Sequence, residues 1–297
     1  MEKSRAVKLH MQIQERKEQG LLSAEQLVTE LRKLARLAQK EEYFHLAFEA
    51  YQELDDKDNL RQLSQVCIEK SRFYEAYVIF DYLHDRNGLL NMMRAVETKQ
   101  DRRLMEYIAS SYFGQERVLA LEDAFQQWVR PRGFSKAPCF SVVNLVNMAY
   151  NLAPQYDVGV GIAKAGLYFT YICTFFDLNT KVVECHRVEK GGIFRWCEEA
   201  SPEQLEGKRV VVLENDVRSG RTAQRVLGEL QRYNPSSIDL ALVHNPVPPH
   251  KRFGTIQENI PPGYGRIHFP KDFSYSSFDK AVERLDERLN HLQKIII

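Results

Sequence analysis

The stretch Gly207-Lys-Arg-Val-Val-Val-Leu-Glu-Asn-Asp-Val-Arg-Ser-Gly-Arg-Thr222 decides how the C-terminal half is built. Four consecutive apolar residues, Val210 to Leu213, read as a strand buried on both faces. Two polar residues, Glu214 and Asn215, stop it. A short turn with Ser219-Gly220-Arg221-Thr222 then opens a helix running to about Tyr233. A turn entering a helix offers unpaired N–H groups and the positive end of the helix dipole, which together favour an anion. Gly220 lets the main chain come close, Ser219 and Thr222 add hydroxyls, and Arg221 adds charge. Glu214 and Asn215 can accept hydrogen bonds from a pair of sugar hydroxyls.

Working outward, short apolar strands alternate with helices. Val158–Ile162, Lys181–Cys185, Arg209–Leu213 and Ile238–Val243 read as strands. Residues 141–150, 167–176 and 222–233 read as helices, and 283–292 as a C-terminal amphipathic one. That alternation predicts a parallel sheet with helices on both faces and a ligand beyond the carboxyl ends of its strands.

Strand, acidic site, loop and helix in this order resemble the PRPP-binding segment of type I phosphoribosyltransferases. Aligned on Gly220, the family's acidic pair falls on Glu214 and Asn215, and its phosphate loop on Arg218, Ser219, Gly220, Arg221 and Thr222. The turn Lys164-Ala165-Gly166, with Arg187 after the next strand, resembles the part that contacts pyrophosphate. The stretch around Lys190-Gly191-Gly192 falls where the family has a mobile flap. The resemblance spans about residues 137–275, and the layout around Leu205 to Pro235 is most similar to the hypoxanthine-guanine branch. It implies a doubly wound α/β domain with PRPP or a nucleotide as ligand. It also implies Mg2+ accompanying PRPP near Glu214 and Asp216, and frequent homodimers. Glu214, Asn215 and Arg218 become the candidate catalytic positions.

Three positions depart from the family pattern. Asn215 replaces the second carboxylate and removes a negative charge from the ribose and metal site. Arg218 stands where the purine branch has a carboxylate base, and a guanidinium cannot take a proton at neutral pH. Past the fourth strand no base-reading lysine follows. His244 and Asn245 are candidates for that role, with Phe269 or Phe273 as a stacking ring. Such aromatics commonly serve as core.

The N-terminal half has another texture. It contains Gly20, Gly88 and Gly114 and no proline before Pro131. Ser23 and Gln26 form a capping-box pair ahead of Leu27, Leu31, Leu34 and Ala38. Phe44, Ala47, Phe48, Tyr51, Leu54 and Leu60 recur 29 residues later as Phe73, Ala76, Tyr77, Phe80, Leu83 and Leu89. This predicts two stacked helical hairpins and resembles a short tetratricopeptide-like array, with a surface for a protein partner. An irregular helical bundle is the alternative. Arg130-Pro131-Arg132-Gly133 breaks the pattern, so the expected domains are 1–130 and 136–297.

A net charge of +1 over 297 residues argues against nucleic acid as a partner. Five cysteines without a CxxC pair fit reduced thiols, and no leader or long apolar span is visible, so the expectation is a cytoplasmic protein without membrane contact. The scattered His244, His250 and His268 lack zinc-ligand spacing. Two functions stay open. One is transfer of a 5-phosphoribosyl group from PRPP to a nitrogenous base. The other is a non-catalytic module sensing PRPP or a nucleotide, whose helical half binds a protein partner.

Overall fold

The computed structural model describes residues 4–97, 101–132, 142–163, 166–185, 194–197, 204–215, 220–243 and 260–295. By compactness the chain divides into two units between Tyr112 and Phe113.

The first unit holds α1 (Arg5–Glu18), α2 (Ala24–Lys40), α3 (Phe44–Glu53), α4 (Lys57–Glu69), α5 (Phe73–Tyr82), α6 (Arg86–Glu97) and nearly all of α7 (Arg102–Phe113). Ser23 and Gln26 make the expected reciprocal cap on α2. The pair α3/α4 is followed by α5/α6 at a spacing of 29 residues. The turns keep that spacing too. Glu42 and Ser71 adopt φ of 61° and 58°, and Asp55 and His84 adopt 49° and 51°. Asp56 accepts the Asn59 N–H at 3.2 Å, and Asp85 accepts the Gly88 N–H at 2.9 Å. These carboxylates satisfy amide donors that a helix start leaves unpaired. Ala47 and Ala76 are fully buried, and Tyr51, Phe80, Leu60 and Leu89 are buried with them.

The second unit begins earlier than the proline-glycine break at 131–133. Its first full helix, α8 (Gln115–Val129), carries an aromatic face. The Phe125 ring lies 4.9 Å from Tyr168 and 5.5 Å from Tyr171, while Trp128 lies 5.3 Å from Tyr171. Pro131 ends this helix but not the unit, because burial of these rings ties α8 to Tyr168 and Tyr171. Arg117 also forks onto Asp286 with two bonds of 2.7 Å.

Then come α9 (Val142–Leu152), β1 (Val158–Ala163), α10 (Leu167–Thr174), β2 (Asn179–Cys185), β3 (Phe194–Trp196), β4 (Arg209–Glu214), α11 (Arg221–Gln231), β5 (Ser237–Leu242), β6 (Ile267–His268) and α12 (Phe278–Ile295). The strands form one sheet in the order β3-β2-β1-β4-β5-β6. All neighbours pair in parallel except β3, which runs antiparallel to β2. Val158, Val160, Ile162, Val210 and Val212 pack with Val226, Leu227 and Leu230 of α11. On the other face α10 presses so close to Gly161 that a Cβ there would sit 1.7 Å from Thr170 Oγ1. Side chains alternate across a strand, so these two sets mark the two covered faces of a mixed α/β sandwich.

Candidate functional site

From β1 the chain moves to β2 on one side and later returns to β4 on the other. The strand order therefore reverses between β1 and β4, the position where open α/β sheets take ligands beyond the carboxyl ends of their strands. Gly161 is in register with Leu213, so β1 and β4 run out side by side at Ala163 and Glu214.

Gly166, just beyond β1, shows how tightly the two ends meet. A Cβ on it would lie 2.2 Å from the Leu213 carbonyl oxygen and 3.0 Å from Ile162 N and O. Its φ is −78°, so sterics and not dihedral preference demand glycine. The turn is held by Gly166 N–H donating to Ile162 O at 2.8 Å and by Thr170 Oγ1 donating to Gly166 O at 2.8 Å.

At the end of β4, Glu214 is buried and accepts the Asn215 N–H at 2.7 Å. The Asn215 Oδ1 is buried with no hydrogen-bond partner among the described residues. Leaving such an acceptor unmet costs about 1–3 kcal/mol, so a donor group, such as a hydroxyl, gains by pairing with it. Gly220 caps α11 with φ 69° and ψ −13°, a left-handed conformation that glycine adopts without strain. Its carbonyl accepts the Gln224 N–H at 2.8 Å, which places Arg221 and Thr222 in the open first turn of α11.

Of the sequence-based assignment, Gly166 lies just beyond β1, Glu214 and Asn215 at the end of β4, and Gly220, Arg221 and Thr222 at the start of α11. Lys164, Ala165, Arg187, Asp216, Arg218, Ser219, His244 and Asn245 lie outside the described residues, as do the expected flap residues Lys190, Gly191 and Gly192. Phe269 is 5% exposed and packs in the sheet core with Leu240 and Leu242, with Lys271 Nζ 5.3 Å from its ring centre. The ring is filling core, as aromatics at such positions commonly do. Phe273 stacks on His268 at 5.7 Å.

No family model matches the chain. No curated protein matches it either. Among solved structures, it is similar to a purine phosphoribosyltransferase from Pyrococcus horikoshii at 20% identity and a TM-score of 0.29, covering 45% of this chain and 91% of that one. A hypothetical protein from Neisseria gonorrhoeae with bound ppGpp is similar at 18% identity and a TM-score of 0.33, with coverage of 50% and 97%. A hypoxanthine-guanine phosphoribosyltransferase from Bacillus anthracis is similar at 12% identity and a TM-score of 0.29, with coverage of 52% and 78%.

Tyr264 near the site has no signal in the local sequence. Tyr264, between a proline pair and β6, donates its hydroxyl to the Ala223 carbonyl at 2.8 Å. Burial pushes its pKa up, and the negative charge of Glu214 adds to the effect, so the phenol stays protonated at neutral pH. Cys185, ending β2, has its thiol pushed up by burial and by Glu214 and Glu229, against a lowering from Arg225. That matches an inert thiol and not a nucleophile. Away from these strand ends, Tyr156 donates to Asp239 at 2.6 Å and pairs with the buried His268 ring nitrogen at 2.5 Å. His268 is accordingly a core histidine, and no group of three potential metal-ligating side chains occurs among the described residues.

No helix among the described residues is long and apolar enough to cross a membrane.

Proposed function

We propose that the α/β domain of the second unit binds the ribose 5-phosphate group of PRPP or of a nucleotide. We further propose that it transfers a 5-phosphoribosyl group to a nitrogenous base. The observation that carries this reading is the coincidence of the strand-order reversal with Gly166, Glu214-Asn215 and Gly220. Glu214 and Asn215 take the ribose hydroxyls, and the Asn215 Oδ1, buried and without a partner among the described residues, is an acceptor for such a donor. Residues Arg218 to Thr222 hold the 5-phosphate. Lys164, Ala165, Gly166 and Arg187 hold pyrophosphate, and His244 and Asn245 face the base. In the transfer the C1–oxygen bond to pyrophosphate breaks while a base nitrogen bonds C1, and that nitrogen's proton passes to solvent. Positive charge builds on the ribose, so the protein contributes chiefly by placement and electrostatics.

Magnesium enters with PRPP. The described donors at the end of β4 are one carboxylate and one carboxamide oxygen, which suit a cation held mainly by its substrate's own oxygens. Asp216 is a second candidate. When bound, the ion would offset charge on the pyrophosphate.

A second reading is favoured by Asn215 itself. With one carboxylate in place of two, the site can bind PRPP or a nucleotide without turnover, as a sensor. In either case the helical first unit would form a tetratricopeptide-like surface for a protein partner. A cytoplasmic homodimer is the proposed form.

Calorimetry with PRPP, ribose 5-phosphate and nucleoside monophosphates tests the binding step. Pyrophosphate release from PRPP with a panel of bases tests transfer, and Glu214→Ala is expected to abolish both. Binding without release selects the sensor. No binding to any of these ligands removes the proposal.

A further inference from the structure

The segment Gly263-Tyr264-Gly265 runs from the side of α11 to the sheet. Its far end is fixed by Gly265 N–H donating to Ile238 O at 2.8 Å and Arg266 N–H donating to Asp239 Oδ1 at 2.7 Å. The Tyr264 ring packs against the sheet core. Its hydroxyl donates to the Ala223 carbonyl at 2.8 Å. The peptide group of that carbonyl carries the Gln224 N–H, which donates to Gly220 O at 2.8 Å. The Gly220 carbonyl in turn shares its peptide group with the Arg221 N–H, at the open end of α11. Three groups therefore stand in series: phenol, peptide 223–224 and peptide 220–221. Hydrogen bonds in series polarise one another, so a donor at one end makes the last N–H a stronger donor.

We infer that Tyr264 is a positioning residue for the phosphate cradle, acting through this chain on the peptide group between Gly220 and Arg221. The inference rests on the phosphate reading above. Two peptide groups separate the Tyr264 hydroxyl from the Arg221 N–H, so its action is indirect. It ties the first turn of α11 to β5 and strengthens the amide end that faces the anion.

The experiment uses the full chain, labelled with nitrogen-15, in three forms: unchanged, Tyr264→Phe, and with 3-fluorotyrosine at 264, whose phenol is a stronger donor. In the absence of ligand, the Arg221 and Gln224 amide proton resonances are expected to move upfield in Tyr264→Phe and downfield with fluorotyrosine. Affinity for ribose 5-phosphate is expected to drop about two- to fivefold in the first and to rise in the second. A residue that only fills space would not produce opposite shifts from phenylalanine and fluorotyrosine. If Tyr264→Phe does not fold, the fluorinated protein alone decides. Unmoved amide resonances in a folded variant overturn the inference, as do moved resonances with unchanged ribose 5-phosphate affinity. Resonances that respond in a protein with no ribose 5-phosphate affinity at all overturn the phosphate reading, and with it the positioning role, while leaving the hydrogen-bond chain in place.

Discussion

Replacing Gly166 by alanine places a methyl group where the end of β4 already is. The added Cβ would lie 2.2 Å from the Leu213 carbonyl oxygen, with Ile162 N and O each at 3.0 Å. An ordinary contact needs about 1 Å more, and the nearest atoms are backbone, which cannot swing aside like a side-chain tip. The turn after β1 and the end of β4 must therefore separate. Overpacking of this kind costs about 1–3 kcal/mol. The backbone dihedral is already one that alanine accepts, so the loss is steric alone. Urea titration of Gly166→Ala should lower the midpoint with little change in slope, and calorimetry should find affinity for ribose 5-phosphate lowered about tenfold or more, since 1.4 kcal/mol corresponds to a factor of ten. A variant as stable as the parent, with undiminished affinity, would refute both the close approach and the placing of the site beside it.

Other expectations use different parts of the fold. Gly228, within α11, has open space where a Cβ would go, so Gly228→Ala should stabilise the protein by about 0.4–1 kcal/mol in the same titration. In α6, a Cβ on Gly88 would meet the Phe80 ring at 2.2 Å, so Gly88→Ala should destabilise the first unit, read as earlier proteolysis of its helices. Burial lowers the pKa of His268, with Arg266 acting in the same sense. The unfolded chain then binds a proton at higher pH than the folded one. Stability should fall as pH drops through the ordinary histidine range toward the lower folded value, and His268→Gln should flatten that slope in pH-dependent melts.

The buried strands and the end of β4 are legible in the sequence for a plain reason. Val210 to Leu213 is an uninterrupted apolar run, and Glu214-Asn215 marks its end without ambiguity. The 29-residue spacing is legible because alanines and aromatics recur in register, and the helix bounds keep to it. The short outer strands are not. Phe194–Trp196 and Ile267–His268 are too brief to show alternation, and pairing partners 11 or more residues away, such as Arg195 with Glu184, decide them. The proline at 131 misplaces the unit boundary. What assigns α8 is the meeting of Phe125 and Trp128 with rings more than 40 positions later, which no local window contains. Tyr264 is silent for the same reason, since its role depends on Ala223.

Among the described residues both margins of the sheet are stubs, three residues in β3 and two in β6. A foreign strand arriving at either side finds almost no ladder to zip onto. Self-association of this domain is then expected to proceed through side chains on helices and loops, because a dimer built by extending one sheet into its twin would be short of main-chain rungs.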